Sequence, residues 1–94
     1  MFDKMKQMME MKRQADAIKR ELDAMIVDVE EIRGINIRIS GSQNFQSLQI
    51  DSGLIAEANK AKLESDLLRS MNAAIKKSQT MAAQKMASLM PGLS

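Results

Sequence analysis

The groups in this sequence that could do chemistry are carboxylates, amines, guanidinium groups and thioethers, because neither cysteine nor histidine occurs among its 94 residues. Without imidazole the chain lacks the commonest general base and the commonest transition-metal ligand. Without thiols it lacks disulfides and thiolate metal sites. Asp28 and Glu30 share one face of an extended segment and could be drawn as paired carboxylates for acid/base work or Mg²⁺ binding, although solvent-facing charge on a strand is the simpler account. Half of the ten methionines fall early, at Met1, Met5, Met8, Met9 and Met11. Thioethers at helical spacing are soft ligands for Cu(I), but with nothing to complete a site, adaptable packing against another helix accounts for them better. The four glycines are scattered and make no phosphate loop, and no serine has a recognisable activating partner. No catalytic residue, metal ligand or cofactor is expected, and the chain reads as a binding module.

The basic residues are the more ordered constellation. Lys6, Arg13 and Arg20 recur every seven residues with Lys12 and Lys19 beside them, and Lys62, Arg69 and Lys76 repeat the spacing later, followed by Lys77 and Lys85. Three residues at this spacing on a helix extend about 21 Å, a length that faces on the order of a dozen phosphates of duplex DNA. Any amphipathic helix also needs a solvated charged face, and the stripes fit that simpler role as well. A membrane-surface helix is a further alternative for the first stripe, but the segment lacks the Trp and bulky leucines such a helix uses.

Those stripes require helices. Residues 2 to 25 contain no Gly or Pro, and Met8, Met11, Ala15, Ile18, Leu22 and Met25 alternate three and four apart, a narrow apolar seam. From Ile26 the composition turns β-branched: Ile26, Val27, Val29 and Ile32, then Ile35, Ile37 and Ile39 alternating with Asn36, Arg38 and Ser40. Gly34 and Gly41 read as chain reversals between strands. A third strand, residues 45 to 51, places Leu48 and Ile50 in one register and Phe45 in the other, which implies either a bulge or a residue packing on a partner. Asn59 is placed to cap a second helix running to about residue 89, stopped by Pro91-Gly92, with an apolar arc of Leu63, Leu67, Met71, Ala74, Ile75, Met81 and Ala82. The expected fold class is α+β: α-β-β-β-α, with a three-stranded antiparallel sheet and two long amphipathic helices.

Length bounds this to a single domain over residues 1 to 94, and only two aromatic residues, Phe2 and Phe45, are available to its core. The seam and the Ile35, Ile37 and Ile39 face present more apolar surface than one small monomer is expected to cover, so a homodimer is expected. Met8, Met11, Ile18, Leu22, Ile35, Ile37 and Ile39 are the candidate core and dimer residues. Charges interrupt the N-terminus where a secretory signal needs an apolar run, and no segment approaches membrane-spanning length, so no membrane partner is expected and a cytoplasmic location is. Net charge is only +2. Its distribution is uneven: residues 1 to 25 hold six basic against five acidic residues, residues 26 to 57 two against five, and residues 58 to 94 six against two.

Gly34-Ile-Asn-Ile-Arg-Ile-Ser-Gly41 followed by Leu48-Gln-Ile-Asp51 resembles the core pattern of the YbaB/EbfC family of bacterial nucleoid-associated proteins. The likeness continues through Met71-Asn72-Ala73-Ala74-Ile75-Lys76-Lys77, Lys85-Met86 and Pro91-Gly92-Leu93, and the opening Met1-Phe2 is similar too. The resemblance implies a homodimer that binds double-stranded DNA through its helices with little sequence preference, alters its conformation, and acts in the nucleoid. On this chain that implication falls on Lys6, Lys12, Arg13, Lys19 and Arg20 of the first helix and on Lys62, Arg69, Lys76 and Lys77 of the last. The sequence departs from the family where lysines often occupy the strands. Asn36, Gln46 and Gln49 stand there, which puts a sheet contribution to DNA binding in question, and Ser52 replaces a proline after the Ile-Asp pair. The alternative reading is a protein-interaction module whose helical arms clasp replication or recombination proteins.

Overall fold

The structure, a computed structural model, describes residues 2–89. Met1, the Phe2 side chain and the Pro91-Gly92-Leu93 stretch, including the helix stop read from it, lie outside the described residues. The chain runs α1 (Phe2–Ala24), β1 (Ile26–Val29), β2 (Ile35–Ser40), β3 (Phe45–Ile50), two short 3-10 turns (Ser52–Leu54 and Glu57–Asn59) and α2 (Lys60–Leu89). This is the expected α-β-β-β-α order, and α2 begins directly after Asn59.

The three strands form one antiparallel sheet in the order β1-β2-β3. Alternation on β2 points Ile35, Ile37 and Ile39 to one face, where cross-strand pairing adds Val27 opposite Ile39 and Val29 opposite Ile37. All five are buried. Between β2 and β3 the register shifts: Arg38 pairs with Ser47 but Ile39 pairs with Phe45, so Gln46 is the extra residue of a bulge. A bulge answers the out-of-register Phe45 of the sequence, because one added residue returns Phe45 to the face that Leu48 and Ile50 share.

The two expected reversals use their glycines differently. Gly34 has φ +95, the left-handed region, and its N–H donates to Glu30 Oε2 at 3.1 Å while its carbonyl accepts from Asp51 N at 2.8 Å. In the β2–β3 hairpin the left-handed residue is Gln43 (φ 68) rather than Gly41. Gly41 serves closeness instead. A Cβ there would stand 3.0 Å from both the Leu22 carbonyl oxygen and Met25 Sδ, so its bare backbone lets the end of α1 pack against the hairpin. Its N–H donates to the Met25 carbonyl at 3.0 Å.

The Ile face corrects the sequence reading, since it is not surplus surface awaiting a second copy: the chain's own α2 covers it. The expected apolar arc of α2 lies nearby, but its buried centre is Ser70, Ala74, Ser78 and Ala82, four small residues four apart. Small side chains let the helix axis lie close on β1 and β2, while Leu63, Leu67, Ile75 and Met81 close the sides. The buried hydroxyls are satisfied, Ser78 Oγ donating to the Ser40 carbonyl at 2.7 Å and Ser70 Oγ to the Asp66 carbonyl at 2.8 Å. Ser78→Ala is expected to cost about 1 kcal/mol, the usual worth of one such bond. Ser78→Leu is expected to cost more, by wedging α2 off the sheet. Denaturant midpoints rank the two; equal midpoints would mean that helix and sheet are not in close contact.

Candidate nucleic-acid interface

A helix of 23 residues is about 35 Å long and one of 30 residues about 45 Å, both longer than a six-residue strand of about 20 Å, so each helix must run past the sheet. Both leave at the hairpin end, and the molecule is accordingly elongated, 67 × 21 × 17 Å. Among the described residues only the C-terminal part of α1 is anchored. Ile18, Leu22 and Met25 are partly buried there, and Glu21 meets Lys85 of α2 at 3.6 Å. Nearer the N-terminus the seam is open: Met8 is 67% and Met11 69% exposed. Of the seven candidate core and dimer residues, then, Ile35, Ile37 and Ile39 are core, Ile18 and Leu22 are half-covered, and Met8 and Met11 are surface within one chain.

The basic stripes divide sharply once partners are assigned. Lys6, Lys12, Arg13, Lys19 and Arg20 are all exposed on α1, and among the described residues none has an ion-pair partner. On α2, Lys62 pairs with Asp66 at 2.8 Å, Arg69 with Glu31 at 3.3 Å, and Lys77 Nζ donates to the Asp28 carbonyl at 3.2 Å. Lys76 is exposed and without an ion pair among the described residues. Three of the four α2 candidates therefore serve, at least in part, to hold the helix and its neighbours. The five cations of α1 face water without an ion pair among the described residues, although Glu10, Asp16 and Asp23 stand within a turn of them on the same helix.

The sheet presents the opposite balance. Asp28, Glu30, Glu31, Asp51 and Glu57 lie in or beside it. Asp28 and Glu30 do not form a carboxylate pair, because Glu30 lies beyond the end of β1 and is engaged with Gly34 N, while Asp28 Oδ1 accepts from Arg38 Nε at 2.9 Å. That hydrogen bond holds the Asp28 carboxyl below its ordinary pKa and raises that of Arg38. With the folded-state pKa of Asp28 lowered, the pair's small contribution is present at neutral pH and fades as pH falls through that value. In that exposed pair Arg38 stays charged but shares its charge with the Asp28 carboxylate. Among the described residues no three carboxylates converge on a point where an ion could be held, and no helix is long and apolar enough to cross a membrane.

One surface was not singled out by sequence. α2 lies over β1 and β2 and leaves the same face of β3 open, so Phe45 is 45% and Leu48 51% exposed. With Ile37, Gln46, Ser47 and Met71 they line a shallow apolar groove of about 330 Å³ beside the unpaired edge of the sheet. The mismatched register of Phe45 was the signal available in the sequence.

Set beside known proteins, the chain matches a family model described as the YbaB/EbfC DNA-binding family over residues 1–93. Among curated proteins, none matches it in sequence.

Proposed function

The chain belongs to the YbaB/EbfC DNA-binding family, a family of nucleoid-associated rather than enzymatic proteins, and from that premise we propose that its 94 residues act as one domain that binds duplex DNA as a homodimer with little sequence preference. The observation that carries this reading is α1, an arm that runs past the sheet with five exposed cations, none in an ion pair among the described residues. Lys6, Arg13 and Arg20 follow one line along it, Lys12 and Lys19 flank them, and Lys76 adds a cation on α2. Cations strung along an exposed helix neutralise phosphates without reaching base edges, so they favour backbone contact over sequence reading. Bound on two arms, the duplex would be held in an altered path, with effects on nucleoid organisation and gene expression.

Support for the homodimer comes from the apolar surface left over. The open face of β3 with Met71 and Leu68, and the Met8–Met11 end of the seam, are large hydrophobic groups that water contacts in the single chain. Light scattering is expected to give twice the 10.5 kDa of the chain, with a further rise in mass on adding a duplex. Leu48→Lys is expected to shift the protein toward monomer without loss of helix content; a stable dimer of this variant would place the interface elsewhere. The open seam also suits a second reading, a clasp for replication or recombination proteins. The two separate by salt: phosphate-driven binding weakens steeply with ionic strength, whereas an apolar clasp does not.

A further inference from the structure

Met9 is out of place for a residue whose role is helix packing. It does not belong to the Met8–Met11–Ile18–Leu22 seam, and at about 100° per residue it stands on the opposite side of α1, within about 60° of arc of both Lys6 and Arg13. Its side chain is 64% exposed, and no second copy docking along the seam would cover it. Lys6 and Arg13 are separated by seven residues, about 10 Å along the axis. That distance can straddle the minor groove of duplex DNA, roughly 6 Å between its walls, with one cation toward each phosphate strand. Met9 lies between them along the axis. A helix is too thick to enter that groove, but a single unbranched, polarisable side chain is not, and minor-groove binders frequently insert apolar side chains, Met among them, at base steps.

We propose that Met9 is an apolar DNA contact, directed into the minor groove while Lys6 and Arg13 hold the phosphates on either side. This rests on the proposal that α1 binds DNA and assigns to it something the charges alone do not supply: a salt-independent part of the affinity and a local bend. The thioether packs on deoxyribose and base edges, surfaces common to all sequences, so the contact adds affinity without adding sequence preference.

The test compares the full chain with Met9→Gln, Met9→Leu and Met9→Ala on a duplex labelled at both ends, reading affinity across a salt series and bend by energy transfer. Circular dichroism is expected to be unchanged for Met9→Gln and Met9→Leu, since these residues have similar helix propensities and the position is exposed. Met9→Gln and Met9→Ala are expected to bind about five-fold more weakly, the effect of losing about 40 Å² of buried apolar surface. Their salt slope should be unchanged and their bend smaller, while Met9→Leu stays within about two-fold of the parent. If the parent binds and the Gln and Ala variants bind and bend equally well, Met9 touches nothing and the proposal is overturned. If the parent binds no duplex, the DNA reading of α1 falls first. If it binds vesicles of anionic phospholipid in place of DNA, with loss in the same variants, the apolar contact is with lipid and the groove assignment is wrong.

Discussion

Replacing Ile37 by Asp is expected to abolish cooperative folding. Ile37 is the middle of the central strand, 3% exposed, paired to Val29 on one side and Leu48 on the other. Its core neighbours are apolar, and the groove beside it adds only the neutral side chains of Gln46 and Ser47, so a carboxylate there would find no cation. Leaving such a group buried and unpaired costs roughly 3 kcal/mol or more. A chain of this size, with five residues of β1 and β2 and a few alanines and serines at the centre of its core, has stability toward the low end of the usual ~5–15 kcal/mol. The loss therefore removes most of it. Ile37→Val, which takes away one methylene, is expected to cost only about 1 kcal/mol and to melt cooperatively. Thermal denaturation followed by circular dichroism distinguishes them. A sigmoidal melt of Ile37→Asp near the parent midpoint would mean that α2 does not cover this face, and the core described above would be wrong.

The second large effect is on DNA. Changing Lys6, Arg13, Lys19 and Arg20 together to Gln removes four cations that hold nothing else in the fold, so mass in solution and melting should be near those of the parent. Each phosphate contact contributes about 0.9 to the slope of log affinity against log salt. Four lost contacts should flatten that slope by about 3.6, and by up to twice that where both arms of a dimer engage the duplex. A matched change on α2, Lys62→Gln with Arg69→Gln, should do much less to the slope, because both cations already face carboxylates. Fluorescence anisotropy on two unrelated duplexes across a salt series reads both variants. The two duplexes should weaken in parallel, since phosphate contacts carry no sequence information. An unchanged slope in the α1 variant would reduce its stripe to solvated surface and favour the protein-clasp reading. A larger loss in the α2 variant would move the interface to the other helix.

The sequence by itself determined the element order and most of the boundaries. Seam spacing from Met8 to Met25 and strict alternation from Ile35 to Ser40 are local signals, and local backbone preference with one-sided burial is sufficient to produce a helix and a strand from them. It also located the cations along each helix, because a seven-residue recurrence is a property of one element. The out-of-register Phe45 announced an irregularity, though not its form. Tertiary structure decided which surfaces those elements spend on each other. Ser70 and Ser78 look like solvent residues in the sequence, yet they are at the centre of the buried face of α2, since a helix resting on a tight sheet needs small side chains there more than apolar ones. Ile35, Ile37 and Ile39 were legible as an apolar face, but not as one that the same chain covers. Of the nine cations assigned to DNA, Lys62 has its partner Asp66 four residues along the same helix, but the sequence could not mark Arg69 and Lys77 as engaged. Arg69 meets Glu31 across 38 positions and Lys77 meets the Asp28 carbonyl across 49. Contacts of that separation depend on how the sheet turns beneath the helix, and no window of local periodicity contains both partners.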